Sequence, residues 1–230
     1  MERQPYIAYV DILKILATLA VIMLHLSSPG FLSLSGTGNW YASLIYDGLT
    51  RWAVPVFVMV SGALFLDPKK SVTIHSVLHK SVPRLLRAYL FWWGAYVIVS
   101  YTMGVRGLSL FQPFHHLWYL PMLICIYLLT PVLRLVSERV DVMKYVLFVW
   151  IAYITISFTS IAINEISGHY LVQVWELFQS DYIISYMGYF LLGYYLSTIT
   201  FNKKQKRIIG GLGLIGGGHF IGRRVIPLTL

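Results

Sequence analysis

The sequence predicts an all-α protein whose helices form a polytopic transmembrane bundle. Of its 230 residues, 57% are hydrophobic and only 12% are charged, whereas a soluble domain carries about 25% charged residues. The mean hydropathy is +0.69. Apolar runs of about 20 residues, the length at which a helix crosses a bilayer, recur along the chain.

The apolar runs predict six transmembrane spans and the start of a seventh near Ile208. Their boundaries are residues 8–27, 43–66, 86–104, 117–135, 145–163 and 183–201. The connecting segments alternate between a set rich in Lys and Arg and a set that holds only Arg106. One set holds 13 of the 18 basic residues: Arg3, Lys69, Lys70, Lys80, Arg84, Arg87, Arg134, Arg139, Lys144, Lys203, Lys204, Lys206 and Arg207. The positive-inside rule places this set of segments, and the N-terminus, on the cytoplasmic side of a cell membrane.

The C-terminal tail departs from this pattern. Residues 1–207 are predicted to form one transmembrane domain and 208–230 the beginning of a further span. In that tail, glycines at 216–218 and the pair Arg223 and Arg224 interrupt the apolar character before a full span is complete. We expect a truncated or frameshifted C-terminus; the alternative is a glycine-rich half-span with a basic end.

Composition also argues against other classes of protein. The net charge of +9 is spread over short loops between spans, so it does not indicate nucleic-acid binding. Cys125 is the only cysteine and lies in an apolar run, so no disulfide framework exists. The run from Ile12 to Leu26 lacks a small-residue cleavage site and is followed by further spans, which argues against a cleavable signal peptide.

Three polar residues interrupt the first span, in "DILKILATLAVIMLHLSSPG". Lys14 and His25 are 11 residues apart, almost three turns, so both lie on one helix face. Asp11 precedes Lys14 by three residues, so the two can form an ion pair that offsets burial of their charges. We expect Lys14 and His25 to face the bundle interior. Alternatively, Lys14 reaches the membrane interface with Asp11 as its surface partner, and His25 is an interfacial residue.

These residues and several later motifs resemble the acyltransferase family 3, membrane enzymes that modify surface polysaccharides and related acceptors. A basic residue, ten residues and then His resembles the signature of its first span. Further similar segments are "RWAVPVFVMVSGALF" (51–65), "PRLLRAYLFW" (83–92), "HLWYLPMLICIYLLTPVL" (116–133) and "YFLLGYYLS" (189–197). The resemblance covers about residues 5 to 205. Family members have about ten spans, which implies that three or four are missing here.

The resemblance implies an O-acyltransferase of the cell envelope that transfers an acyl group, in particular acetyl, from acyl-coenzyme A to a glycan hydroxyl. His25 would be the catalytic base, and Lys14 would stabilise negative charge in the pocket, with Asp11 as its structural partner. Arg84 and Arg87, three residues apart at the start of a span, would hold the phosphates of the acyl-coenzyme A. Acetyl-coenzyme A is therefore the expected donor, and the partners are the lipid bilayer and a glycan or lipid-linked sugar.

Three further residues are candidates for substrate binding. Arg51 opens the second span and needs either a partner or a substrate group, such as the acyl carbonyl or an acidic sugar. Alternatively, Arg51 anchors the chain at the membrane interface beside Trp52. Trp118 and Tyr119 can stack on a sugar ring, although belt residues at the membrane boundary have the same composition. Adjacent His115 and His116 point to different helix faces, and no H-E-x-x-H motif exists, so we expect no metal site.

Two other functions stay open. Intramembrane charge is equally expected of a transporter or of a non-catalytic substrate-binding module with this fold. An inactive fragment or a structural membrane protein is the remaining alternative.

The topology is testable by cysteine accessibility. In a Cys125→Ser background, a cysteine at position 70 should react with an impermeant thiol reagent only from the cytoplasmic side, because Lys69 and Lys70 belong to the basic set of loops. A cysteine at position 170, in the loop 164–181, which contains no Lys or Arg, should react only from outside. Labelling of position 70 from outside would refute the orientation.

Overall fold

A computed structural model describes residues 8–33, 37–104, 117–167, 182–205 and 207. These residues form helices, and no strand occurs among them. The helices are α1 (Ala8–Ser33), α2 (Gly38–Thr50), α3 (Ala53–Phe65), α4 (Ile74–Ser76), α5 (Val82–Thr102), α6 (Tyr119–Glu138), α7 (Val140–Ser167) and α8 (Tyr182–Thr198). A π-helical turn, Val77–Ser81, joins α4 to α5. The expectation of an all-helical protein is therefore confirmed over this part of the chain, while the predicted tail 208–230 lies outside it.

Three stretches of the described residues are long and apolar enough to cross a membrane: Tyr9–Ser28, Gly38–Phe65 and Tyr119–Glu138. Each contains at least 18 residues, which matches the thickness of the hydrocarbon core. They correspond to the first, second and fourth predicted spans. The protein is thus an α-helical membrane protein, and the count of six spans stays a prediction.

The second predicted span, 43–66, differs from the observed structure at both its start and its middle. Helix α2 begins earlier, because the Thr37 hydroxyl accepts a hydrogen bond from the Trp40 backbone N–H at 3.2 Å and caps the helix. The helix then ends at Thr50, and α3 begins at Ala53. Pro55 explains the break, since its ring collides with the carbonyl four residues earlier, that of Arg51, and provides no N–H.

The chain forms two compact units, Met1–Val60 with Leu196–Leu230 and Ser61–Tyr195. In the first unit, α1 packs against α2. Small side chains form a buried cluster that joins α1 to α3: Ala17, Ala20 and Ala53, surrounded by Val21, Val56 and Phe57. Small residues at such contacts let helix backbones approach closely, which is how membrane helices pack in the absence of a hydrophobic driving force between them.

In the second unit, two glycines permit similarly close contacts with α8. A Cβ atom at Gly62 of α3 would overlap the backbone carbonyl of Phe190. At Gly188, a Cβ would overlap the indole ring of Trp150 from α7. The Trp150 indole N–H also donates a hydrogen bond to the Ser185 carbonyl at 3.0 Å, which fixes the ring over the glycine. Phe190 and the adjacent Leu191 are fully buried.

The segment between α3 and α5 is held by two sets of hydrogen bonds. Arg134 of α6 donates from Nη1 to the carbonyl oxygens of Phe65 and Asp67, at 2.8 and 3.3 Å. Thr73 and Ser76 form a capping box at the start of α4. The basic segment before α5 therefore starts from a fixed point at the end of α3.

Gly62→Ala should destabilise the protein, because a methyl group there collides with backbone atoms that cannot move aside. The expected loss is about 1–3 kcal/mol, the range for overpacking. Gly94→Ala is the matched control, since nothing lies within 4 Å of its position and alanine favours helix. Thermal unfolding in detergent should show a lower Tm for Gly62→Ala and an equal or higher Tm for Gly94→Ala. Equal unfolding temperatures for Gly62→Ala and the parent would contradict the close contact.

Candidate active site

The polar residues of α1 begin with an ion pair near its N-terminus. Lys14 Nζ lies 3.7 Å from Asp11 Oδ1, and the two side chains are 44% and 45% exposed. The ion pair expected from the spacing of three residues is confirmed. On a water-exposed surface such a pair contributes little, but within a membrane helix it offsets the cost of inserting either charge alone.

Lys14 and His25 lie on one continuous helix, because α1 runs from Ala8 to Ser33 without a break. Both occupy the same flank of α1, about a quarter turn from the centre of its buried stripe at roughly 100° per residue. That stripe consists of Val10, Ala17, Ala20 and Ser27. The expectation that His25 faces an interior is wrong within the described part of the chain, since its side chain is exposed. The physical reason is that the described helices pack on the small-residue stripe and leave the flank uncovered.

A groove of about 360 Å³ lies between the end of α1 and the start of α2. Its polar lining consists of Ser27, Asn39, Ser43 and Tyr46, and its remaining lining is apolar. The groove lies in the same C-terminal part of α1 that carries His25. Hydroxyl and amide groups on apolar walls are a lining suited to a sugar-like or other uncharged polar molecule.

Arg51 has a charged partner that the sequence analysis missed. Its Nε donates to Oδ2 of Asp47 at 2.7 Å. The Asp47 side chain is only 5% exposed, whereas that of Arg51 is 45% exposed. A signal for the pair was present in the sequence, because an Asp four residues before an Arg on a helix places the two side chains together.

The last turn of α2 is fixed beside this pair. The buried Thr50 hydroxyl donates to the carbonyl of Tyr46 at 2.7 Å, and a weaker contact at 3.3 Å reaches the carbonyl of Asp47. These side-chain bonds to carbonyls three and four residues earlier tie Thr50 to the last turn of the helix. Asp47 therefore presents its carboxylate from an ordered turn.

Arg84 and Arg87 lie in the first two turns of α5, and both are exposed. Arg87 Nε donates to the Pro83 carbonyl at 3.2 Å, and Arg84 lies within electrostatic range of the Tyr127 hydroxyl. Regular helix at these positions places the two side chains on one face, as the spacing predicted. Just before them, the exposed rings of His75 and His79 stack with centroids 4.1 Å apart.

Trp118 and Tyr119 are half-buried by other aromatic residues. The Trp118 ring lies 5.6 Å from that of Tyr186 in α8 and 6.4 Å, edge-on, from that of Tyr119. The ring centroid of Tyr186 lies 6.0 Å from that of Tyr189. The two residues thus belong to an aromatic row within the second unit, and a sugar-stacking role stays a prediction.

The structure brings together three pairs of the sequence-predicted residues: Asp11 with Lys14, Arg84 with Arg87, and Trp118 with Tyr119. The structure also shows that Arg51 is paired with Asp47, which the sequence analysis did not identify. His115 and His116 lie outside the described residues. Within the described part of the chain, no group of three or more His, Cys, Asp or Glu side chains converges.

The described residues are helical, and three stretches among them are long and apolar enough to cross a membrane, which defines the class as a polytopic α-helical membrane protein. A family model described as an acyltransferase domain, that of acyltransferase family 3, matches residues 7–222. The match covers almost the whole chain, and the protein belongs to this family of membrane acyltransferases. No match was found among curated proteins or among solved structures.

Removal of the two members of the Asp47–Arg51 pair should have unequal effects on stability. Arg51→Gln leaves a buried carboxylate without its charged partner, which costs at least about 1–3 kcal/mol. Asp47→Asn leaves a half-exposed arginine that water and headgroups can solvate, so it should cost less. The double variant, which has no buried charge, should recover most of the loss of Arg51→Gln. Tm values in detergent will measure all three.

Asp141→Asn is the control, because Asp141 forms an exposed pair with Arg139 at 3.6 Å. It should leave the Tm unchanged. If Arg51→Gln and Asp47→Asn lower the Tm equally, burial of the Asp47 carboxylate is not the dominant cost.

Proposed function

We propose that this protein is a membrane O-acyltransferase that transfers an acyl group, acetyl in the first instance, from acyl-coenzyme A to a hydroxyl of a cell-surface glycan or related acceptor. The observation that carries the proposal is the family match over residues 7–222, which includes every residue assigned a role below. The bilayer location follows from the membrane-length helices.

In this proposal His25 is the general base. The pKa of a sugar hydroxyl lies far above neutrality, so its proton must leave as the oxygen attacks the thioester carbonyl. A neutral imidazole near pH 7 can accept it. The new ester C–O bond forms, the C–S bond breaks, and the proton passes to the departing thiolate of coenzyme A. Such assistance is worth about 10² to 10⁴ in rate.

His25 is exposed among the described residues, so this role requires that the substrate, or a part of the protein outside those residues, covers this flank of α1. Lys14 lies on the same flank of α1 and is held by Asp11 at 3.7 Å. Its ammonium group would stabilise negative charge in the pocket or on the polar arm of the donor. Asp11 acts through Lys14 and is a positioning residue.

Donor and acceptor would be bound by different residues. Arg84 and Arg87, both exposed at the start of α5, would contact the phosphates of acyl-coenzyme A. Arg51 would donate hydrogen bonds to the acceptor, and Trp118 with Tyr119 would provide apolar ring surface for a sugar. The groove beside Ser27 and Tyr46 supports an acceptor position near the C-terminal part of α1.

The orientation belongs to the same proposal. The Lys and Arg distribution supports a plasma-membrane protein with a cytoplasmic N-terminus. The basic start of α5 then faces the cytoplasm, where acyl-coenzyme A is made, and His25 lies towards the outer leaflet, where a surface glycan is exposed.

A transporter or binding module is the second candidate, and the Asp11–Lys14 pair favours it, because ion pairs in membrane helices also mark solute and proton paths. Consumption of the thioester separates the two candidates. Only the enzyme converts acyl-coenzyme A to free coenzyme A in proportion to the acceptor acylated.

His25→Ala should reduce kcat by about 10²-fold or more, because a general base acts on the proton that is transferred in the transition state. Arg84→Ala combined with Arg87→Ala should instead raise the donor KM about ten- to a hundredfold, because contacts to phosphates distant from the reacting carbon bind ground state and transition state alike. Transfer from radiolabelled acetyl-coenzyme A in proteoliposomes will measure both quantities.

The controls are His75→Ala for the histidine and Arg139→Ala with Lys144→Ala for the arginines; all of these residues are exposed outside the proposed site. Both controls should retain the parent kinetics. Parent turnover by His25→Ala would refute the general base. An unchanged donor KM in the double arginine variant would leave those residues as topology signals only.

A further inference from the structure

The charge balance at the proposed acceptor site is set by Asp47. Its carboxylate lies 2.7 Å from Arg51 Nε and is 5% exposed. The pair therefore carries no net charge, although the half-exposed Arg51 presents a cationic side chain to its surroundings. A substrate anion that contacts Arg51 also feels the nearby buried carboxylate, which solvent screens poorly.

The groove next to this pair is uncharged as well. Its polar lining is Ser27, Asn39, Ser43 and Tyr46, and no ionisable acid or base with a charge near neutral pH contributes to it. Asn39, Ser43 and Asp47 follow one another at intervals of four residues along α2. This interval places them on one helix face, so the groove leads along α2 towards the ion pair.

We propose that Asp47 is a specificity-determining residue that makes the acceptor site select an uncharged sugar and reject a carboxylate-bearing one. Asp47 acts through Arg51: it orients the guanidinium and cancels its charge, so Arg51 donates hydrogen bonds to neutral oxygens. This inference rests on the proposed function, because it takes Arg51 as an acceptor-binding residue. It also decides against an acidic sugar as the group that Arg51 recognises.

A purely structural pair would not set selectivity. A neutral side chain can also accept a hydrogen bond from Arg51 Nε, so the ordering of the turn does not require a charge. Only the carboxylate charge opposes an anionic acceptor. At a separation of about 6 Å and an effective dielectric constant near 20, one charge changes an equilibrium constant by about tenfold or more. The sign of the selectivity is thus the diagnostic quantity.

The test compares two probes of similar shape, the uncharged methyl β-glucoside and the anionic methyl β-glucuronide. Their dissociation constants are measured by isothermal titration calorimetry on the full chain in neutral-lipid nanodiscs, and acetyl transfer to each probe from acetyl-coenzyme A is measured in parallel. The variants are Asp47→Asn and the double variant Asp47→Asn/Arg51→Gln, which leaves no buried charge. Asp141→Asn, at an exposed position, is the matched carboxylate control.

The parent and Asp141→Asn should bind the glucoside more tightly than the glucuronide. Asp47→Asn should shift the ratio towards the glucuronide by about tenfold or more, and the double variant should lose this shift because no cation remains. An unchanged ratio in Asp47→Asn, a shift that persists in the double variant, or binding of neither probe by the parent would overturn the inference. Probe selectivity of the expected sign without acetyl transfer would instead refute the proposed function: Asp47 would then set the selectivity of a binding site, and no acceptor site would exist.

Discussion

The cost of an unpartnered polar group in a bilayer is the constraint on which this structure depends. A chain that is 57% hydrophobic has few polar side chains that can serve as hydrogen-bond or charge partners for one another. The solution in the described residues is local. Ion pairs form within one helix, as between Asp11 and Lys14 or between Asp47 and Arg51. Hydroxyl groups likewise donate to carbonyls one turn earlier: Thr18 to Lys14, Thr130 to Ile126 and Thr155 to Ile151.

Because many polar groups of the described helices have partners within their own helix, contacts between helices depend mainly on shape. Ala17 and Ala53 meet in the first unit, and Gly62 and Gly188 admit close neighbours in the second. Arg134 is an instructive exception, since it donates to the carbonyl of Phe65, 69 residues away in the chain. It ties the end of α3 to α6 and thereby fixes where the basic segment towards α5 begins.

The sequence was most informative where the interaction was local. Composition predicted the helical membrane class, and a spacing of three residues predicted the Asp11–Lys14 pair. The same reasoning was sufficient for Asp47 and Arg51, but Asp47 was not identified as the partner that Arg51 needs. Pro55 accounts for the break between α2 and α3, but the start of α2 is set by the Thr37 cap, which lies before the predicted start of the second span. The exposure of His25 was not predictable. Helical periodicity shows which residues share a face of α1, but it does not show which neighbouring helices cover that face. The aromatic row around Trp118 depends on contacts with α8, which no local pattern encodes.

The proposed function has one central claim, a division of labour across the membrane: the donor would bind at the basic start of α5, and the acceptor would react beside His25 towards the opposite leaflet. Sided transfer tests it most directly. The protein is reconstituted in proteoliposomes of known orientation, with radiolabelled acetyl-coenzyme A and methyl β-glucoside placed on the same or on opposite sides. The account predicts acetylated glucoside when the donor is on the side of residues 67–87 and the acceptor is on the other. Transfer only when both substrates share one side would contradict it.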